Sequence, residues 1–159
     1  MPENLSDRAL SVQNALNQLG LECRVVELPA STRTAQEAAE AIGTSVPQIV
    51  KSLVFRGKTS SKAVIVLASG SNRVNEKMIG ALLGEKIEKA DADFVRTQTG
   101  YAIGGVAPLG YPQLLTTFID QELLQYDEIW AAAGTPHAVF RLEPKDLERM
   151  TGGSVVQVC

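Results

Sequence analysis

Three features of the chain carry residue types that can act on a carbonyl or a phosphate. The first is Lys51, set between the apolar pair Ile49-Val50 and the apolar run Leu53-Val54-Phe55. An ammonium so flanked either reaches solvent along its own methylene stem or is held partly buried beside a ligand. In the second case it can grip a phosphate or polarise an ester. The second feature is Gly104-Gly105-Val106-Ala107-Pro108. Glycine lets backbone N–H groups approach a ligand closely, and Pro108 stiffens the exit. Such a turn can aim amide donors at a carbonyl oxygen that gathers charge during attack. The same composition also suits a tight connection into the next strand. The third is His137, the single histidine, in the turn Gly134-Thr135-Pro136-His137. It can exchange a proton near neutral pH or serve as an ordinary loop residue.

Several chemistries are disfavoured. Lys51-Ser52 does not make a P-loop, because Val50 precedes the lysine and the strand follows it. Residues 100–110 hold four glycines but no G-x-G-x-x-G opening a helix, so no dinucleotide fingerprint is present. No serine or cysteine lies in a nucleophile elbow. Two cysteines, Cys23 and Cys159, and one histidine lack the spacing of a zinc site. Neither a metal nor another cofactor is expected.

The elements that must position these residues follow from periodicity and punctuation. Leu5, Ala9, Val12, Leu16 and Leu19 form one helical stripe, opened near Ser6 and closed by Gly20. Residues 21–28 read as a strand. Thr34-Ala35-Gln36-Glu37 is a capping-box pattern that starts a short helix with Ala35, Ala38, Ala39 and Ile42 on its buried side. Ser45 to Gln48 offers a second helix start, with Pro47 in its first turn. Strands are expected at residues 53–55 and 63–68, the latter a central one because it is apolar throughout. Asn75 caps a helix with Met78, Ile79, Leu82 and Leu83 inside, and Asp91 caps another. Strands follow at 114–119, 129–133 and 138–142, then a helix over 144–151 and a last strand at 155–158. Helices and short strands mix without a βαβ rhythm, which predicts an α+β fold. With 159 residues and 45 % apolar content, the sequence predicts one domain, residues 1–159.

No run approaches a membrane span, and the polar start MPENLSDRAL lacks the apolar stretch of a signal peptide. The expected compartment is the cytoplasm. The net charge is −3, but residues 51–89 hold eight Lys or Arg against three Glu, a local +5 that leaves −8 elsewhere. Such a segment can guide a polyanion to one face, or it can be a set of solvated hairpin and helix lysines.

Four pieces occur in order: Thr34-Ala-Gln-Glu-Ala-Ala39, Ile49-Val-Lys-Ser-Leu-Val-Phe55, Gly100-Tyr-Ala-Ile-Gly-Gly-Val-Ala-Pro-Leu-Gly110 and Gly134-Thr-Pro-His137. Together they resemble the YbaK family, related to the insertion editing domain of bacterial prolyl-tRNA synthetase. The resemblance spans nearly the whole chain. It implies a single α+β domain with a curved, barrel-like central sheet flanked by helices. It implies metal-free hydrolysis of the ester joining a mischarged small amino acid to tRNA, often tRNA for proline. Lys51 matches the family's essential lysine, and Gly104 and Pro108 match the ends of its G-x-x-x-P loop. Gly134 and His137 match its G-x-x-H turn, which shapes the amino-acid pocket. In the mechanism so implied, Lys51 holds the terminal adenosine, and N–H groups of Gly105, Val106 and Ala107 bind the carbonyl oxygen. His137 and small residues near Ala35 limit side-chain size. The turn lacks the arginine-rich stretch of the cysteinyl-specific branch. Mischarged aminoacyl-tRNA is the expected partner, with a synthetase such as prolyl-tRNA synthetase as a second. The competing readings are a non-catalytic module that docks on tRNA or a synthetase, and a hydrolase of free small esters.

Overall fold

The computed structural model describes residues 5–159. The first four residues of the polar start lie outside them. Ser6 caps α1 (Asp7–Gln18) by accepting the Ala9 N–H, and Ala9, Val12 and Leu16 are wholly buried. Leu19 departs from the predicted stripe. It sits at the C-cap, one residue beyond the last helical residue, and is 37 % exposed. A short β1 (Val25–Glu27) follows. The capping box forms as predicted: Thr34 accepts from the Glu37 N–H and Glu37 returns to Thr34, opening α2 (Ala35–Ile42). Gly43, at φ +87°, closes that helix with a left-handed turn. A single 3-10 turn over Val46–Gln48 stands where a second helix was expected, since β2 (Ile49–Gly57) starts immediately after it.

β3 (Ala63–Ser69) is buried along its whole length. Asn75 caps α3 (Glu76–Leu83) by accepting from Lys77 and Met78. Ile79 is buried there, but Leu82, expected inside, is 53 % exposed. Then come β4 (Ile87–Lys89), α4 (Ala92–Thr99), β5 (Thr116–Asp120), β6 (Ile129–Ala132), β7 (Ala138–Leu142), α5 (Asp146–Thr151) and β8 (Ser154–Val156). The eight strands form one mixed sheet in the order β1-β7-β6-β2-β3-β5-β8, with β4 on β2. The fold is therefore α+β, a mixed eight-stranded sheet flanked by helices.

Alternation along β2 and β3 sorts residues into two cores. Val50, Ile65 and Leu67 join α1, β6 and β7 in the main cluster, whereas Phe55, Val64, Val66 and Ala68 pack with Ile79 of α3. Ile49 packs instead under Ala38 and Ala39 of α2. Lys51 lies on the face of β2 that Ile49 and Phe55 share, between the α2 and α3 clusters.

One irregularity of the sheet creates the site. β2 pairs with β3 from Val50 to Arg56 without a break. Its other edge meets β6 only at Ile49 and Val50, and β4 only from Phe55 to Gly57. Along residues 51–54 that edge has no strand partner among the described residues.

Candidate active site

A cleft of about 640 Å³ opens along this unpaired edge. Its floor is β2 from Ile49 to Phe55. Ala35, Ala38 and Ile42 of α2 make one wall, and Ile103, Gly104 and Val106 make another. Trp130, Ala131 and Ala132 line it where β6 leaves β2, and Ala90 where β4 joins. Ionisable residues in the lining are Arg33, Lys51, Arg73, Lys89 and Glu76: four cations and one carboxylate. The walls are otherwise mostly apolar, which suits the recognition of one small organic group with a few fixed polar contacts.

Lys51 is half-buried and donates from Nζ to the main-chain carbonyl of Asn72. Burial lowers its pKa from the ordinary lysine value, and the negative charges of Asp120 and Cys159 oppose that shift. Asp120 is buried, and its carboxylate is fully engaged. Oδ2 accepts from the Ser69 N–H and from Asn72 Nδ2, each at 2.9 Å, and Oδ1 accepts from the Glu122 N–H at 2.9 Å. The carboxylate thus fixes Asn72, and Asn72 fixes the ammonium. Sequence reading found Lys51 but missed Asn72 and Asp120. The available signal was an acidic residue ending the apolar run Thr117-Phe118-Ile119.

The glycine-rich loop is fastened from three directions. Tyr101 Oη donates to the Leu109 carbonyl at 2.7 Å, and Tyr111 Oη donates to the Ala107 carbonyl at 2.7 Å. The two rings meet edge to face, 6.3 Å apart. Burial raises both phenol pKa values, Tyr101 to about 12, so both remain protonated donors. The third fastening is backbone against backbone. A methyl group added to Gly105 would lie 3.1 Å from the Gly134 carbonyl carbon and from Thr135 N and Cα. The two motifs, distant in sequence, are in direct contact.

The loop's donors are unequal. Gly105 N–H is given to the Ala102 carbonyl at 3.0 Å, which takes it out of the expected set of three. Among the described residues, Val106 and Ala107 N–H donate to no protein acceptor. Gly104 has φ +92°, with the Arg33 side chain against its Cα. Pro108 is buried and lies outside the cleft, beside a second, smaller cavity.

His137 does not line the cleft. It is exposed, with Nδ1 3.1 Å from the Ala30 carbonyl. The turn that carries it acts as a bracket: the Pro136 carbonyl accepts from both N and Oγ1 of Thr32, while Gly134 backs Gly105. The turn thereby ties the segment leading into α2 to the glycine-rich loop. Ala35, by contrast, is in the cleft wall.

Nucleophilic side chains are scarce here. Cys23 is buried in the main core, where desolvation raises its pKa to about 11. Among the described residues no three of His, Cys, Asp or Glu are grouped to hold a metal ion. Ser52 lines the cleft, and its hydroxyl is buried without a hydrogen-bond partner.

A family model for the aminoacyl-tRNA editing domain matches residues 29–150. The chain is 31 % identical to the uncharacterized protein YwhH of Bacillus subtilis over 150 residues, covering 94 % of this chain and 95 % of that one. It is 26 % identical to a candidate Cys-tRNA(Pro)/Cys-tRNA(Cys) deacylase, EbsC of Enterococcus faecalis, over 79 % of this chain and 76 % of that one. A crystal structure of a candidate trans-editing enzyme for prolyl tRNA synthetase superposes with a TM-score of 0.91 at 48 % identity, covering 98 % of each chain. The match takes in the cleft walls, the lysine strand and the glycine-rich loop together, and the chain belongs to the aminoacyl-tRNA editing domain family.

Proposed function

We propose that this chain is a trans-editing deacylase that hydrolyses the ester between a mischarged small amino acid and tRNA, with tRNA for proline as the tRNA it serves. The observation that carries this reading is the shared cleft. Lys51, Gly104 and Val106 line one mostly apolar pocket whose ionisable groups are mainly cationic. The likeness to EbsC and to the trans-editing structure supports the prolyl-tRNA assignment. The cytoplasm, where translation occurs, is the matching compartment, and prolyl-tRNA synthetase is the matching partner. Among the described residues no helix is long and apolar enough to cross a membrane.

In this mechanism Lys51 holds the terminal nucleotide through its phosphate or ribose, while Arg33, Arg73 and Lys89 receive the phosphates before it. The N–H group of Val106 binds the acyl carbonyl as charge develops on its oxygen, while Ala107, wholly buried and outside the cleft lining, holds the loop in place. Water adds to the carbonyl carbon and the bond to the ribose oxygen breaks. That oxygen leaves with a proton from the water, giving a free amino acid and an intact tRNA end. The neighbouring ribose hydroxyl orients the water, since the cleft offers no histidine or cysteine and only Glu76 as a carboxylate. No metal takes part. Ala35 and Ala38 limit the acyl side chain, and Gly134 acts through Gly105; His137 secures the turn rather than touching substrate.

Deacylation of alanyl-, cysteinyl- and seryl-tRNA by the wild type and by Lys51→Ala tests the proposal. The expected result is turnover of at least one substrate and a loss of about 10- to 100-fold in the variant, the worth of a charge-assisted contact. Equal rates in both proteins would remove Lys51 from the mechanism. Tight tRNA binding without any turnover would instead make the chain a docking module.

A further inference from the structure

The unpaired edge of β2 has a definite polarity. In an antiparallel ladder, alternate residues direct their N–H and C=O groups to opposite sides of the strand. Gly57 N–H bonds the Lys62 carbonyl at 2.9 Å, which places odd-numbered residues of β2 in the ladder with β3. Even-numbered residues face the other way. Lys58 N–H accordingly bonds the Lys86 carbonyl beside β4, and Val50 lies in the stretch paired with β6. Ser52 and Val54 are the even residues between those two partners. Their N–H and C=O groups point into the gap, along the cleft floor.

An aminoacyl ester presents a positively charged α-ammonium to a cleft that already contains four cations and one carboxylate. With Glu76 the one carboxylate in the lining, main-chain carbonyls are the remaining strong acceptors for the ammonium. It also carries an acyl carbonyl two bonds from its nitrogen. This is the donor–acceptor pair that one residue of a β-strand shows to its neighbour.

Building on the deacylase reading above, we propose that the open β2 edge at Ser52 binds the aminoacyl group as a strand would bind one partner residue. The substrate ammonium donates to the Ser52 carbonyl, and the Ser52 N–H donates to the acyl carbonyl. The second lone pair of that carbonyl oxygen remains for the Val106 amide. The site therefore requires a free α-ammonium and takes single aminoacyl groups. The unpartnered Ser52 hydroxyl faces the main core side and is not part of the pair.

The test compares alanyl-tRNA with propionyl-tRNA, which differs only by lacking the ammonium, each rate divided by its uncatalysed rate. Loss of a hydrogen bond to a charged group predicts a fall of about 10- to 100-fold for propionyl-tRNA. In a second arm lactic acid is incorporated at residue 52, which replaces its N–H with oxygen, and Ser52→Ala serves as the side-chain control. The ester at position 52 should turn over about 10-fold or more slowly than Ser52→Ala, which carries the same methyl side chain. The same ester at residue 53, whose N–H lies in the β2–β3 ladder, should lower thermal stability more than turnover. Equal enhancement of both substrates, together with full activity of the position-52 ester, would overturn the pairing while leaving the deacylase reading intact. Absence of turnover by the wild type on every aminoacyl-tRNA would overturn both.

Discussion

The ammonium of Lys51 is anchored on the main-chain carbonyl of Asn72, and the side-chain amide of Asn72 is held 2.9 Å from the buried carboxylate of Asp120. Desolvation lowers the lysine pKa and Asp120 raises it. Burial is the larger influence, so an NMR titration should place Lys51 below the ordinary value of 10.5. Asp120→Asn removes a charge that favours the ammonium, so the Lys51 midpoint should fall further. A rise in that variant would contradict the electrostatic account. The folded chain binds this proton less tightly than the unfolded chain. The contribution of Lys51 to stability should therefore improve as pH rises from its folded value toward the unfolded one. Turnover above the uncatalysed rate should decline over the same alkaline range, as the charge is lost.

Gly105→Ala probes the contact between the two motifs. The added methyl group meets three backbone atoms at 3.1 Å, none of which can rotate away. The loop must lift from the 134–135 turn, at a cost of about 1–3 kcal/mol. Thermal unfolding should show this as a lowered Tm, and deacylation should fall with it. An unchanged Tm would mean that the loop and the turn are less tightly joined than the geometry implies.

Tyr111→Phe removes the hydroxyl that pins the Ala107 carbonyl. The buried acceptor loses its partner, a penalty of about 1–3 kcal/mol. Because Ala107 directly follows Val106, whose free N–H faces the cleft, kcat should fall more than KM rises. Equal changes in both would assign Tyr111 to stability alone.

Arg73 and Lys89 line the cleft, whereas Lys58 and Lys62 lie in and beside the exposed hairpin turn after β2. Charge reversal at Arg73 or Lys89 should weaken tRNA binding and reduce the salt slope by about 0.7 for each phosphate no longer neutralised. Reversal at Lys58 or Lys62 should do less. Trp130, the only tryptophan, lines the same cleft, so its fluorescence can report binding of an aminoacyl-adenosine amide. No fluorescence change at saturation would place the ligand elsewhere.

Much of the framework was legible in the residues alone. Thr34 and Glu37 declare a helix start because their bonds are local. Gly43 and Gly84 mark helix ends because only a residue without Cβ takes φ near +90° at no cost. The unbroken apolar run of β3 signals burial on both faces, whereas Lys51 among apolar neighbours leaves both a solvent-reaching and a half-buried cation open. Tertiary structure decided the rest. The Leu82 position and the outward turn of His137 each depend on what happens to lie opposite. The gap along β2 exists because β6 and β4 arrive from distant parts of the chain and stop short of each other. Local sequence specifies hydrogen bonds a few residues apart. Which backbone groups stay unpaired is settled only when remote strands have taken their register.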